Sequence, residues 1–140
     1  MTIVLLFAMK SPSQVIQYFS KALVAEQILT APAELEFYGR DVSKQFKAAP
    51  SCVLLPKSVE EVSSVLKICS QHKIAVVPSG GRTGYSGGAT AQNGEVILSL
   101  SKMNRILEIN LADSTLTCEA GVTTEAVINA AREKGLFYPG

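Results

Sequence analysis

Five glycines fall within the nine positions from Gly80 to Gly88, inside the stretch VVPSGGRTGYSGGA that runs from Val76 to Ala89. Glycine loses more conformational freedom on ordering than any other residue, so a run this rich needs a compensating gain. An anionic group is held either by a helix N-terminus or by a concave row of backbone N–H groups. Glycine serves the second arrangement, because it admits positive φ and puts no Cβ between backbone and ligand. Gly80, Gly81, Gly84, Gly87 and Gly88 offer bare backbone, and Ser79, Thr83 and Ser86 add hydroxyl donors. That set suffices for two adjacent anionic centres, as in a diphosphate. The competing reading is a surface loop whose glycines only ease a chain reversal. The interleaving of glycine and hydroxyl residues across the whole segment favours the anion site.

Two familiar phosphate motifs do not fit. A GxGxxG fingerprint needs glycines at i, i+2 and i+5 with a helix directly after, and no register here supplies them. A P-loop needs a Gly-Lys-Ser or Gly-Lys-Thr step, and no lysine lies between Lys73 and Lys102.

Other chemistry is sparse. The single histidine, His72, stands at a helix end, where contact with the helix dipole accounts for it better than catalysis does. No histidine and carboxylate cluster suggests a metal. No basic residue is paired with an imidazole to bind a carboxylate and take a hydroxyl proton, so no catalytic residue is assigned. Cys52, Cys69 and Cys118 are far apart and form no CxxC, which fits small apolar side chains in a reducing compartment. That compartment is the cytoplasm, with the mitochondrial matrix as the alternative. Thirteen basic and twelve acidic side chains leave a net charge of +1 without a basic block, which argues against nucleic acid. With 47% hydrophobic and 18% charged residues, the 140-residue chain has material for one ordinary core.

The elements that must position the loop follow from pattern. Val15, Ile16, Phe19, Ala22, Leu23 and Ile28 recur at helical spacing, predicting an amphipathic helix over 13–30 that Pro32 stops, with a linker at APAELEFYGRD. CVLLP predicts a buried strand. Ser58 with Glu61 is a capping box, opening a helix whose face is Val59, Val62, Leu66 and Cys69 and which ends at Gln71 to Lys73. IAVV makes a second strand, so the unit is βαβ with parallel strands. The glycine run starts at the carboxyl end of that strand, where ligands bind in parallel sheets. Asn93-Gly94 marks a turn before a strand at Val96 to Leu100. An antiparallel hairpin follows, with Leu107, Ile109 and Leu111 on one face and Leu116, Cys118 and Ala120 on another, turning at Asp113-Ser114. Gly121 ends it. Thr123 or Thr124 caps a last helix with Val127, Ala130 and Ala131 inward, Gly135 closes it, and LFYP begins one more strand. The fold class is α+β: an N-terminal helix, a βαβ unit, then antiparallel strands and a second helix. The apolar run Thr2 to Met9 is too short to span a bilayer and lacks a basic region ahead of it, so neither a membrane segment nor a secretory signal is expected.

PSGGRTGYSGGA, Pro78 to Ala89, resembles the pyrophosphate loop of the FAD-binding flavoproteins named for vanillyl-alcohol oxidase and p-cresol methylhydroxylase (the PCMH type). Within them it is most similar to the D-2-hydroxy-acid dehydrogenases: glycolate oxidase flavin subunits, D-lactate dehydrogenases and D-2-hydroxyglutarate dehydrogenases. The likeness extends through CVLLPKSVEEVSSVLKIC, ILSLSKMNRILEIN and TCEAGVTTEAVINAAREKGLFYP, about Arg40 to Pro139. It implies that Pro78, Ser79, Gly80, Gly81, Arg82, Thr83, Gly84, Tyr85, Ser86, Gly87 and Gly88 hold the FAD diphosphate. Family members with covalent flavin often carry a histidine in this loop; Arg82 stands here, so the resemblance implies non-covalent FAD. Arg82 either adds charge near a phosphate or faces solvent, and Tyr85 either packs on the cofactor or is an ordinary loop-tip aromatic.

The resemblance also sets expectations for the whole. Residues 1–38 form an extension and helix, and 39–140 the first part of a PCMH-type FAD-binding domain. A second glycine-rich segment and a substrate domain are expected beyond Gly140, so the chain reads as an N-terminal piece, inactive alone, of an enzyme that oxidises a small D-2-hydroxy acid by hydride transfer to FAD. The alternative is a non-catalytic nucleotide- or flavin-binding module, or half of a split site.

Overall fold

The computed structural model describes residues 11–139, and the reading of Thr2 to Met9 lies outside them. Helix α1 spans Pro12–Phe19, with Ser11 as a capping box partner to Gln14 and proline at its first position. It is shorter than the helix expected over 13–30. Beyond Phe19 the chain makes a turn, a 3-10 segment Ala25–Gln27 and a two-residue strand β1, Ile28–Leu29. Tertiary partners override the helical spacing there. Ile28 and Leu29 pair antiparallel with Leu54 and Val53, and the buried Gln27 amide donates to the Leu55 carbonyl (3.0 Å) and to Glu61 (2.6 Å).

Pro32 ends nothing. It opens helix α2, Pro32–Tyr38, where the segment APAELEFYGRD was expected to be a linker. Proline at N1 is a start signal, since its missing N–H would be unpaired there in any case. The Glu34 carboxylate adds to the start by accepting the Ala31 N–H at 3.3 Å.

Strand β2, Cys52–Leu54, and helix α3, Val59–His72, follow as expected, with Ser58 accepting the Glu61 N–H. The Glu61 carboxylate reaches one residue further back than a capping box requires and accepts from the Lys57 N–H at 2.7 Å. The buried face of α3 is Val65 and Cys69 flanked by Val62 and Ile68, while Val59 and Leu66 are exposed at 67% and 43%. The stripe is therefore rotated from the expected one, because helix α1 and the sheet approach from the side of Val65.

Strands β3, Val76–Ser79, and β4, Val96–Ser99, complete a sheet ordered β1-β2-β4-β3. β2 and β3 are parallel as the βαβ reading required, but β4 lies between them and is parallel to both. One face packs Cys52, Leu54, Val96 and Leu98 against Val15, Phe19, Leu23, Val65 and Cys69. The other packs Val53, Leu55, Ala91 and Ile97 against Leu35 and Tyr38 of α2. Burial on both faces explains the continuous apolar runs of β2 and β4.

The hairpin is β5, Ile106–Asn110, with β6, Thr115–Cys118. A register irregularity between Ile106 and Glu108 corrects its expected face: Ile106 pairs with Cys118 and Ile109 with Leu116, so Ile106 and Ile109 point the same way. Leu107 and Leu111 are left exposed at 56% and 58%. Ser114, at φ 54°, makes the turn, and the Asn110 side chain accepts from the N–H groups of Ala112 and Asp113. Helix α4, Thr124–Glu133, is capped by Thr123 and closed by Gly135 at φ 73°. Residues 136–139 are not a strand; Leu136 instead donates back to the Ala131 carbonyl as the helix closes, which the apolar composition of LFYP does not foretell.

Candidate functional site

The glycine loop leaves β3 at the edge of the sheet, where Pro78 is tolerated because an edge strand can spare an N–H. Ser79 closes that strand opposite Ser99 and is 1% exposed. Its hydroxyl is buried and has no hydrogen-bond partner among the described residues. A buried polar atom without a partner is rare in a folded protein and calls for one, an ordered water or a bound group.

The glycines fall into two kinds. At Gly80, Gly84 and Gly88 a Cβ would meet nothing within 4 Å, and at Gly81 only the Thr83 methyl at 3.8 Å. None of these four takes a positive φ. Neither packing within the chain nor backbone conformation therefore requires glycine at these positions, where a Cβ would enter open space. Gly87 differs: φ is 77°, and a Cβ there would come within 2.6 Å of the Phe46 ring. Its N–H donates to Asp41 Oδ2 at 2.9 Å, so this member of the expected donor set is engaged inside the protein. The N–H groups of Gly80, Gly81, Thr83 and Gly84 meet no protein acceptor among the described residues.

Arg82 is half-buried and rests against aromatic rings. Its φ is 55°, its carbonyl accepts the Val42 N–H at 3.0 Å, and its guanidinium lies 4.3 Å from the Phe37 ring centroid and 4.9 Å from that of Tyr38. The charge rests on aromatic faces of α2 by cation–π attraction. Tyr85 is 71% exposed at the loop tip, with Thr83 and Ser86 also exposed beside it.

Asp41, Phe37 and Phe46 touch the loop and were missed because their segment reads as a linker. One local signal was available. Asp41 followed two residues later by Ser43 is the pattern of a side chain that bonds its own backbone two positions on. Here Asp41 Oδ1 accepts from the Ser43 N–H (3.0 Å) and the Ser43 hydroxyl (2.6 Å). The Ser43 hydroxyl above all, with the Gly87 and Ser43 N–H groups, holds the Asp41 carboxyl below its ordinary value, against an opposing effect of burial.

The remaining reactive groups are quiet. Burial pushes the Cys52 thiol up to about 12 and the Cys69 thiol up to about 11, so neither is a nucleophile near neutral pH. His72, in the last turn of α3, stacks on Tyr18 with ring centroids 3.8 Å apart, far from the loop in the fold's helical layer. Among the described residues no group of three His, Cys, Asp or Glu side chains is placed to hold a metal, and no helix is long and apolar enough to cross a membrane.

Residues 50–140 match the family described as FAD binding domain. The D-2-hydroxyglutarate dehydrogenase of Xanthomonas citri pv. viticola is 52% identical over 119 residues, covering 85% of this chain and 25% of that protein. The glycolate oxidase subunit GlcD of Bacillus subtilis is 39% identical over 102 residues, covering 73% and 22%. Among solved structures, p-cresol methylhydroxylase with substrate bound superposes with a TM-score of 0.77 at 30% identity, covering 92% of this chain and 26% of that one. The 4-ethylphenol oxidase of Gulosibacter chungangensis gives 0.79 at 28% identity, covering 96% and 27%. The chain thus spans about a quarter of the length of the relatives it matches.

Proposed function

The chain belongs to the FAD binding domain family, and from that premise we propose that it supplies the diphosphate-holding loop of a flavin-dependent enzyme that oxidises a small D-2-hydroxy acid. The observation that carries the reading is the orphaned Ser79 hydroxyl at the root of a loop whose glycines border open space. FAD fits these residues: Ser79 Oγ and the unengaged N–H groups of Gly80, Gly81, Thr83 and Gly84 are donors, as two adjacent phosphates require. Gly88 leaves room for close approach, and the Thr83 and Ser86 hydroxyls stand exposed on the same loop. Arg82 braces the loop through its guanidinium, which lies over the Phe37 and Tyr38 rings, and through its carbonyl, which accepts the Val42 N–H.

When bound, FAD supplies the acceptor for the hydride that leaves the hydroxyl-bearing carbon of the substrate. The choice of a 2-hydroxy acid rests on the relatives named for D-2-hydroxyglutarate and glycolate. The loop contains neither histidine nor cysteine for a flavin linkage, which supports non-covalent binding. Three free thiols, two of them buried, support a reducing compartment, either the cytoplasm or the mitochondrial matrix.

The test is direct. The full-length protein is purified, precipitated in acid, and the supernatant examined for flavin; then D-2-hydroxyglutarate, D-lactate and glycolate are offered with an artificial electron acceptor. FAD free in the supernatant and turnover of one of the three acids is the expected result. Flavin retained in the precipitate would contradict non-covalent binding, and a colourless protein that reduces no acceptor would contradict the reading as a whole.

A further inference from the structure

Among the described residues, hydrogen bonds and ring contacts fasten the loop to the segment Phe37–Phe46 at two of its residues, Arg82 and Gly87, and these are its left-handed ones. Arg82, at φ 55°, is held through its carbonyl by Val42 and through its guanidinium by Phe37 and Tyr38. Gly87, at φ 77°, is held through its N–H by Asp41 and faces the Phe46 ring. The span between them, Thr83 to Ser86, is exposed. A non-glycine residue at positive φ persists only where its surroundings determine it. The conformation of the exposed span is thus set by its two ends.

Among the described residues, Asp41 is the carboxylate that hydrogen-bonds the loop, at Gly87. Its side chain is buried, and three donors occupy it: the Ser43 N–H, the Ser43 hydroxyl and the Gly87 N–H. A bare carboxylate so near a diphosphate site would repel the ligand. One already saturated by donors does so far less, and it serves as an internal anion around which the loop turns. We propose that Asp41 is a positioning residue for the glycine loop: by holding the Gly87 N–H it fixes the 83–86 span in the shape that receives a diphosphate, before any ligand binds. This rests on the reading of the loop as the FAD diphosphate site.

The experiment uses the full-length protein, stripped of flavin and reloaded. Asp41→Ala removes the acceptor; Asp41→Asn removes the charge and keeps one acceptor oxygen. Three quantities are read: the FAD dissociation constant, the rate of tryptic cleavage after Arg82 in the flavin-free protein, and its thermal midpoint. For Asp41→Ala we expect FAD affinity to fall about tenfold or more and cleavage after Arg82 to quicken about tenfold, as loss of a hydrogen bond to a charged group implies. The midpoint should move by no more than about 2 °C, because the contact anchors a loop and not the core. Asp41→Asn should lie between Asp41→Ala and wild type, rescue by the acceptor that remains. If Asp41→Ala does not fold, Asp41→Asn carries the same three readouts.

Unchanged affinity and cleavage would overturn the proposal. So would a loss of affinity without faster cleavage, which would make Asp41 a ligand contact, or tighter binding in Asp41→Asn, which would reduce its role to charge. A fall in midpoint large enough to explain the cleavage would also overturn it. A wild-type protein that binds no FAD would contradict the functional reading instead, and the cleavage rates alone would then decide whether Asp41 anchors the loop.

Discussion

At the scale of single residues, the loop uses glycine for two unlike reasons. Gly87 is glycine because its φ is 77° and Phe46 occupies the place of a Cβ. Gly84 is glycine although nothing inside the chain asks for it. The first is a folding constraint; the second, on the proposed reading, is there for the ligand. Asp41 links the two, and its ionisation gives that link a pH dependence with a definite sign. Its folded pKa is depressed, first by the Ser43 hydroxyl and then, against burial, by the Gly87 and Ser43 N–H groups. A depressed carboxyl contributes fully above its unfolded value of about 3.9 and loses its contribution as pH falls through the folded value. The ratio of FAD dissociation constants of Asp41→Ala and wild type should therefore stay level from about pH 8 down to about pH 5, and hold further into acid than an ordinary carboxylate would allow. A ratio that already narrows between about pH 7 and pH 5, measured by flavin fluorescence, contradicts the depressed carboxylate.

At the scale of elements, the loop is held in place by β3 below it, α2 beside it and the turn into the hairpin behind β4. Gly121 sits where the chain leaves the hairpin, with its N–H on the Met103 carbonyl and a Cβ position only 1.8 Å from the Leu100 carbonyl oxygen. No side chain fits without moving backbone, so Gly121→Ala should cost at least about 2 kcal/mol, seen as a lower denaturation midpoint with little change in slope. An unchanged midpoint would mean that the Leu100 to Met103 turn yields easily. Sequence alone foretold this break, and it foretold β2, α3, β4 and α4, because each is written in local pattern: an aliphatic run, a Ser58 cap, an Asn93-Gly94 turn, a Thr123 cap. It failed where one residue carries two meanings or where partners are distant. Pro32 is both a stop and a start; Ile28 suits a helix face but finds Leu54; the hairpin bulge moves Leu107 out of phase. The α3 face was misplaced because Val59 and Leu66 are as apolar as Val65, and only the approach of α1 chooses between them. The glycine-rich loop after β3 was legible from composition. Its fastening was not, since Asp41 and Gly87 lie 46 positions apart.

At the scale of the molecule, the two central strands β2 and β4 are buried on both faces, and β3 at the sheet edge carries the exposed loop beyond Ser79. The chain covers about a quarter of its relatives' length, and the diphosphate site proposed within that quarter is built from a buried hydroxyl and N–H groups without a protein partner among the described residues, with the Asp41 contact to Gly87 beside them. On the proposed reading, Gly84 and its like are glycine for the ligand and not for the fold. Gly84→Val in the full-length protein measures this most directly, by FAD affinity and flavin-free thermal midpoint taken together. The prediction is that the midpoint stays within about 2 °C of wild type, because the new side chain meets only open space, while FAD affinity falls by about a hundredfold or more as Cβ branching bars the phosphate from the backbone. Wild-type affinity in Gly84→Val would contradict the account, and so would a loss of binding that merely follows a collapse of the flavin-free protein.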